Sequence, residues 1–232
     1  MNFAQPSVSP VPMLSRRGDV DVLELGDGEN VINPDWLDAV EAHLDVVAAH
    51  GGPRALVTTA SGKFWSNGLD LQWLMANGEQ IPAFSARVQA LFARVLTLDV
   101  PTVAAIQGHA FGAAAMLALA HDQRVMRTDR GYFCFPEVDI QIPFTEGMCD
   151  LITAKLAPAA AHESMTTGHR YDGPDAVAAG LVDAAVTQEE LFDEALARAR
   201  DLAPKAGVTL GLIKARLYRH AAASLRETGA RG

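Results

Sequence analysis

Cysteine is nearly absent from this 232-residue chain: Cys134 and Cys149 occur without CxxC spacing. Two thiols so placed build neither a zinc-ligand pattern nor the disulfide framework of a small secreted domain, and a reducing cytoplasm is the compartment expected. Positive charge is scarce as well. Lys and Arg number 19 against 28 Asp and Glu, a formal net charge of -9, and no basic stripe with interleaved aromatics occurs. That balance argues against a nucleic-acid partner and for a small molecule or another protein. Long apolar runs are missing too. Nothing approaches the ~20 apolar residues of a membrane-spanning helix, and even GHAFGAAAMLALAHD (Gly108 to Asp122) stops at His121 and Asp122. The opening MNFAQPSVSPVPMLSRR carries Pro6, Pro10 and Pro12 where a signal peptide needs a continuous apolar helix, and its basic pair follows the apolar part. Residues 1–18 are therefore expected to form a loose arm.

What is present is a hydrophobic content of 49%, enough to bury the core of one large domain or two small ones. Strand-like runs alternate with helical patterns, which argues for parallel strands joined by helical crossovers. VDVLEL (Val20 to Leu25), RALVTTA (Arg54 to Ala60), PTVAAI (Pro101 to Ile106) and RVM (Arg124 to Met126) read as strands. Asn33-Pro34 reads as an N-cap followed by proline at the first helical position, and Trp36, Leu37, Val40, Leu44, Val47 and Ala48 then recur at helical spacing. A helix is expected from Leu69. Beyond Thr145 the character is mostly helical, with one short strand at Leu181 to Val186. A final helix from Leu210 places Ile213, Leu217, Tyr218, Ala221 and Leu225 on its apolar face, with Lys214, Arg216, Arg219 and Arg226 elsewhere.

Two corners are alike: SGKFWSNGLDL (61–71) and IQGHAFGAAAML (106–117) each follow a strand and open a helix with glycine at the bend. A helix start leaves backbone N–H groups without intrahelical acceptors, and the helix dipole favours negative charge there. Glycine lets a ligand approach that backbone. Two such ends converging on one point would make an oxyanion hole, each donor contributing about 2.7–4 kcal/mol to lowering a barrier.

GKFWSNGLDL, GHAFG with LALAHDQRVMRTDRG, PEVDIQIPFTEGM and TTGHRYDGPDAVAAGLVD together resemble the enoyl-CoA hydratase/isomerase (crotonase) family in order and spacing. The resemblance covers almost the whole chain and is strongest with the Δ3,Δ2-enoyl-CoA isomerase-like branch. It implies an α/β fold of the ClpP/crotonase-like kind. The ββα-spiral acyl-CoA-binding core would span 19–168, and a mainly helical C-terminal region, 169–232, would make homotrimers or dimers of trimers. It also implies an acyl-CoA thioester held between the corners. The backbone N–H groups of Leu69 and Ala113 map onto the family's oxyanion donors. Lys63, Phe64, Ser66, Asn67, Gly68, Asp70, Leu71, Gln72 and Gly112 map onto residues that line the CoA and substrate site. No metal or redox cofactor is required, because coenzyme A is part of the substrate.

Family hydratases use two glutamates, and the one on the second corner's helix is Met116 here. A thioether neither takes nor gives a proton at useful pH, so two-acid hydration lacks a partner. The other maps onto Glu137. A single carboxylate beside an oxyanion hole suits a proton shuttle, shifting a double bond from 3-enoyl-CoA to trans-2-enoyl-CoA. Met116, Phe135 and Ile142 are expected to wall Glu137 and raise its pKa by desolvation. The family glycine four residues after Glu137 is Gln141, whose side chain is expected to reach the acyl pocket or to bond Glu137. Arg54 and Lys63 are the candidate cations for CoA phosphates. His109 could polarise a ligand, while Asp70 is expected to stabilise its own helix start. Trp65 and Trp73 read as packing residues, and Asp139 and Glu146 as secondary carboxylates. The alternatives within the resemblance are a hydratase or thioester hydrolase with Glu137 activating water, and an acyl-CoA-binding homologue without catalysis.

Overall fold

The computed structural model describes residues 12–227. Its main sheet has six strands in the order β1 (Met13–Arg17), β2 (Val20–Glu24), β3 (Ala55–Thr59), β5 (Thr102–Ile106), β7 (Gln123–Arg127) and β9 (Ala184–Val186). Only the β1–β2 pair is antiparallel. A second sheet, all parallel, joins β4 (Phe64–Ser66), β6 (His109–Phe111) and β8 (Phe133–Cys134). Each turn of the chain thus runs strand, strand, helix.

Strand alternation sorts the main sheet's side chains into two cores. Val20, Val22, Ala55, Val57, Val103, Ala105 and Val125 face α8 (Gln188–Leu202) and meet Leu191, Ala195, Leu196 and Ala199. Leu23, Leu25, Leu56, Ala104 and Ile106 point the other way, into the larger core shared with α1 (Pro34–Ala49), α3 (Ile81–Leu96), α4 (Ala113–Ala120) and α5 (Glu146–Lys155). The period of two, set by the pleat, is what lets five-residue strands be buried on both faces. All eight residues of α4 are buried, so the uncharged run at the centre of the sequence is the helix at the middle of the molecule.

Several sequence expectations change. The arm is not loose throughout: Met13–Arg17 pair antiparallel with Val20–Glu24 as an edge strand, the turn made by Gly18 at φ +66. Residues 1–11 lie outside the described part. The helix expected from Leu69 begins at Leu71, because Leu69 is bridged to Ile32 in extended conformation and Asp70 takes the N-cap. The single closing helix is two, α9 (Val208–Leu217) and α10 (Arg219–Glu227). The break moves Ile213 and Leu217 to the surface, while Ala221 and Leu225 are buried. Lys214, placed on a polar face by its charge, is buried and donates to Val100 O and Asp122 Oδ2. Strand β9, from the C-terminal region, completes the main sheet beside β7.

Candidate active site

The first corner is built by β4 running into α2 (Leu71–Ala76), with Gly68 between them at φ +82. A Cβ at Gly68 would lie 2.6 Å from Phe111 O and 3.5 Å from Ala113 N, so only glycine lets the first corner touch the second. The second corner is β6 running into α4, with Gly112 at φ +54 as the cap. A Cβ there would lie 3.2 Å from Glu137 Oε1. Gly68, Ala113, Gly112 and Glu137 are therefore contiguous, although 69 positions of sequence separate the first from the last.

Two amides of these corners are left without an acceptor among the described residues. Met116 N–H donates to Gly112 O at 3.1 Å and Ile32 N–H to Gly68 O at 2.8 Å. Among the described residues, neither Leu69 N–H nor Ala113 N–H has an acceptor in the protein. Glu137 is 8% exposed, and its Oε2 has no hydrogen-bond partner among the described residues. Burial penalises the charged form by more than the hydrogen bond from its own backbone amide favours it, and the carboxyl is pushed up to about 7. A carboxylic acid that titrates near neutrality can take a proton in one step and return it in the next.

The residues around it differ in how far they match expectation. Met116 and Phe135 are buried, but Ile142 is 48% exposed and does not enclose Glu137. Gln141 is exposed, and its amide donates to Val138 O at 2.6 Å instead of to Glu137. Its backbone explains the glycine that the family has there: Gln141 has φ +59, and Ile142 N–H closes back onto Glu137 O at 3.0 Å, the αL residue and six-to-one bond that end a helical turn. Ser66 is fully buried, with its hydroxyl engaged by backbone groups on both sides, so it is no ligand contact. Asp70 is likewise occupied, accepting from Trp73 N–H at 2.9 Å and Asn33 Nδ2 at 3.2 Å as the cap of α2. Arg54 is buried against Asp99 and cannot reach a phosphate. Lys63 is exposed, its ammonium 5.1 Å from the Phe64 ring centre. Leu71 and Gln72 are exposed, and Asn67 donates to Glu29.

His109 lies among the rings of Phe64, Phe111 and Tyr132. Burial and the charges of Lys63, Arg130 and Arg170 lower its pKa below the ordinary histidine value. Trp65 is wholly buried, and Trp73 packs on Phe84 with ring centres 4.7 Å apart. His121 caps α4 from inside the core, one ring nitrogen against Leu117 O and the other against Thr58 Oγ1, so it belongs to packing. Asp139 lies by Gly168, and Glu146 in the first turn of α5. Asn30 and Ile32, which the motifs did not single out, turn out to brace the first corner.

Two glycine corners of a fold of ββα turns thus meet beside a buried glutamate, and comparison with known proteins gives the family. Residues 22–230 match the enoyl-CoA hydratase/isomerase family, to which this chain belongs. Among curated proteins, peroxisomal enoyl-CoA delta isomerase 2 of Arabidopsis thaliana is 37% identical over 76% of this chain and 78% of its own length. Enoyl-CoA delta isomerase 3 of the same plant is 33% identical over 88% of this chain and 91% of its own. Among solved structures, a probable enoyl-CoA hydratase from Mycobacterium tuberculosis superposes with a TM-score of 0.85 at 24% identity, covering 95% of this chain and 93% of that one.

Proposed function

We propose that the protein is an enoyl-CoA isomerase: Glu137 removes a C2 proton from a 3-enoyl-CoA, and the same group returns a proton to C4, giving trans-2-enoyl-CoA. The observation that carries this reading is the buried Glu137 carboxyl titrating near 7 beside two unengaged amides, with Met116 buried where a second acid would stand. The N–H groups of Leu69 and Ala113 receive the thioester oxygen as it gains charge in the enolate, each donor supplying about 2.7–4 kcal/mol. The desolvated carboxylate is a strong base toward an α-proton, and the acid it becomes stays at hand because no second carboxylate competes for the proton. The electron pair left at C2 delocalises through the thioester and the neighbouring double bond, so reprotonation at C4 leaves the conjugated isomer. The delta-isomerase names of the relatives support the same reaction.

The reading includes a homotrimer or dimer of trimers, supported by Val208, Leu212, Ile213 and Leu217, all more than half exposed on α9. Sedimentation velocity distinguishes these from a monomer. The reaction is tested with 3-enoyl-CoA thioesters, following the conjugated product by its ultraviolet absorbance. Turnover is expected, and Glu137→Gln is expected to lower kcat by about 10²–10⁴-fold, the usual worth of a positioned acid–base group. Binding of the thioester without turnover, or efficient hydration of 2-enoyl-CoA instead, would overturn the assignment.

A further inference from the structure

Glycine has no intrinsic preference that would hold a peptide plane in one orientation, so the direction of the amide that follows Gly68 has to be imposed from outside. The structure shows what imposes it. Asn30 is 8% exposed and sits at φ +50, a left-handed conformation that asparagine tolerates better than most residues. Its Nδ2 donates to Gly26 O at 3.3 Å, to Phe64 O at 3.1 Å and to Trp65 O at 3.1 Å, tying the β2–α1 turn to strand β4. The Asn30 carbonyl accepts from Ser66 Oγ at 2.7 Å, and the same hydroxyl oxygen accepts from Gly68 N–H at 3.2 Å. That fixes the peptide plane entering Gly68. The plane leaving it is fixed two residues along the same turn, where Ile32 N–H donates to Gly68 O at 2.8 Å and Ile32 O accepts from Asp70 N–H at 3.0 Å. In a trans peptide the C=O and N–H point in opposite directions. Holding Gly68 O toward Ile32 therefore turns Leu69 N–H away from it.

We infer that Asn30 and Ser66 are positioning residues: they hold the 30–32 turn against β4 and the plane entering Gly68, so that the Ile32 bonds to Gly68 O and Asp70 N–H keep the Leu69 N–H aimed at the thioester oxygen. Neither side chain touches the reacting atoms. Ser66 pins the Gly68 amide to the Asn30 carbonyl, and Asn30 ties the turn that carries Ile32 to strand β4, so the Ile32 bonds that orient the Leu69 amide keep their place. The inference rests on the reading of Leu69 N–H as a thioester donor, and its test separates the two.

The test uses the full-length protein with a saturated acyl-CoA labelled with carbon-13 at the thioester carbonyl, read by infrared difference spectroscopy, together with kcat and KM on a 3-enoyl-CoA. Two variants are compared: Ser66→Ala, which removes the hydroxyl, and Asn30→Gly, which keeps the positive φ and removes the three Nδ2 bonds. Thr58→Val is the control, deleting an equally buried hydroxyl that bonds His121 away from the corner. In the unsubstituted protein the bound carbonyl band is expected below its free position. In either variant the band should move back toward the free value, with kcat lowered about ten- to hundredfold, less than the 10²–10³ of losing a donor outright. KM should stay within about threefold, and the pH at which activity rises should not move, because Glu137 is untouched. Thr58→Val should lose stability without changing the band. A full band shift with kcat within about twofold of the parent in a folded variant would overturn the positioning role alone. No band shift in the unsubstituted protein would overturn the donor reading and the inference with it.

Discussion

At the scale of single residues, protonation and backbone angle decide the site. In the proposed reaction the Glu137 carboxylate is the reactive form, so kcat/KM is expected to rise with pH through about 7 and level off above it, following the titration of the buried carboxyl. A profile flat from pH 5.5 to 8.5 would mean that another group is the base. Gln141 makes a different point. A position that family members fill with glycine invites the reading that glycine leaves room for substrate, yet Gln141 is exposed, bonded to Val138 O, and held at φ +59. Glycine suits this position because a left-handed residue costs an ordinary side chain about 1–2 kcal/mol. Gln141→Gly is therefore expected to raise the urea-unfolding free energy by about 1 kcal/mol, the lower end because glycine also loosens the unfolded chain. Activity should be unchanged. A large rise in kcat/KM without a stability gain would restore the steric reading.

At the scale of elements, the sequence was most legible where periodicity is long or a cap is distinctive. The strands β2, β3 and β5 fall within the expected runs, β7 extends one residue beyond Arg124–Met126 at each end, and α1 starts where Asn33 accepts from Trp36 N–H and Pro34 takes the first turn. The strands β4, β6 and β8 are two or three residues long, too short for a period of two to show, and only the family resemblance implied a second strand per turn. The glycine corners and Glu137 were legible by motif. The brace at Asn30 was not, because its meaning lies in carbonyls 34 and 35 residues away. Lys214 was misread for a related reason: charge predicts a surface position unless a partner is known, and its partners Val100 O and Asp122 come from a distant segment. With one cation buried against Asp122, whose Oδ2 also accepts from Thr102 N–H at 2.8 Å, α9 is fixed to the start of β5. Lys214→Ala is expected to destabilise by about 1–3 kcal/mol, since it leaves the Val100 carbonyl short of a donor and the part-exposed Asp122 with Thr102 alone. The exposed Lys205→Ala should change stability by no more than about 0.5 kcal/mol. Equal urea midpoints for the two variants would mean that the buried pair is dispensable.

At the scale of the whole molecule, two buried groups oppose each other across the same pH range. Glu137 titrates near 7 in the folded protein against an ordinary 4.5, so the stability it confers is full below about 4.5 and lost as pH rises through 7. His121 is wholly buried and lowered by desolvation to about 4 from 6.5. Its folded form stays neutral while the unfolded chain takes up a proton, so its contribution is intact above 6.5 and lost as pH falls toward 4. Between roughly 4.5 and 6.5 the folded state holds one proton more at Glu137 and one fewer at His121, and the two slopes cancel. His109, lowered in the same direction, adds to the acid side. Stability is thus traded between the Glu137 carboxyl on one side and buried histidine on the other. Glu137→Gln removes one side of that balance, and its unfolding free energy should fall by about 1.4 kcal/mol for each pH unit between 6.5 and 4.5, while the parent changes much less. At pH 8 the same variant should be more stable than the parent by about 3 kcal/mol, the cost of keeping an ionised carboxylate buried for the reaction. Urea titrations of both proteins at pH 5, 6, 7 and 8 decide the matter: parallel curves would show that Glu137 is not held as a buried acid, and the base that the isomerisation needs would have to be sought elsewhere.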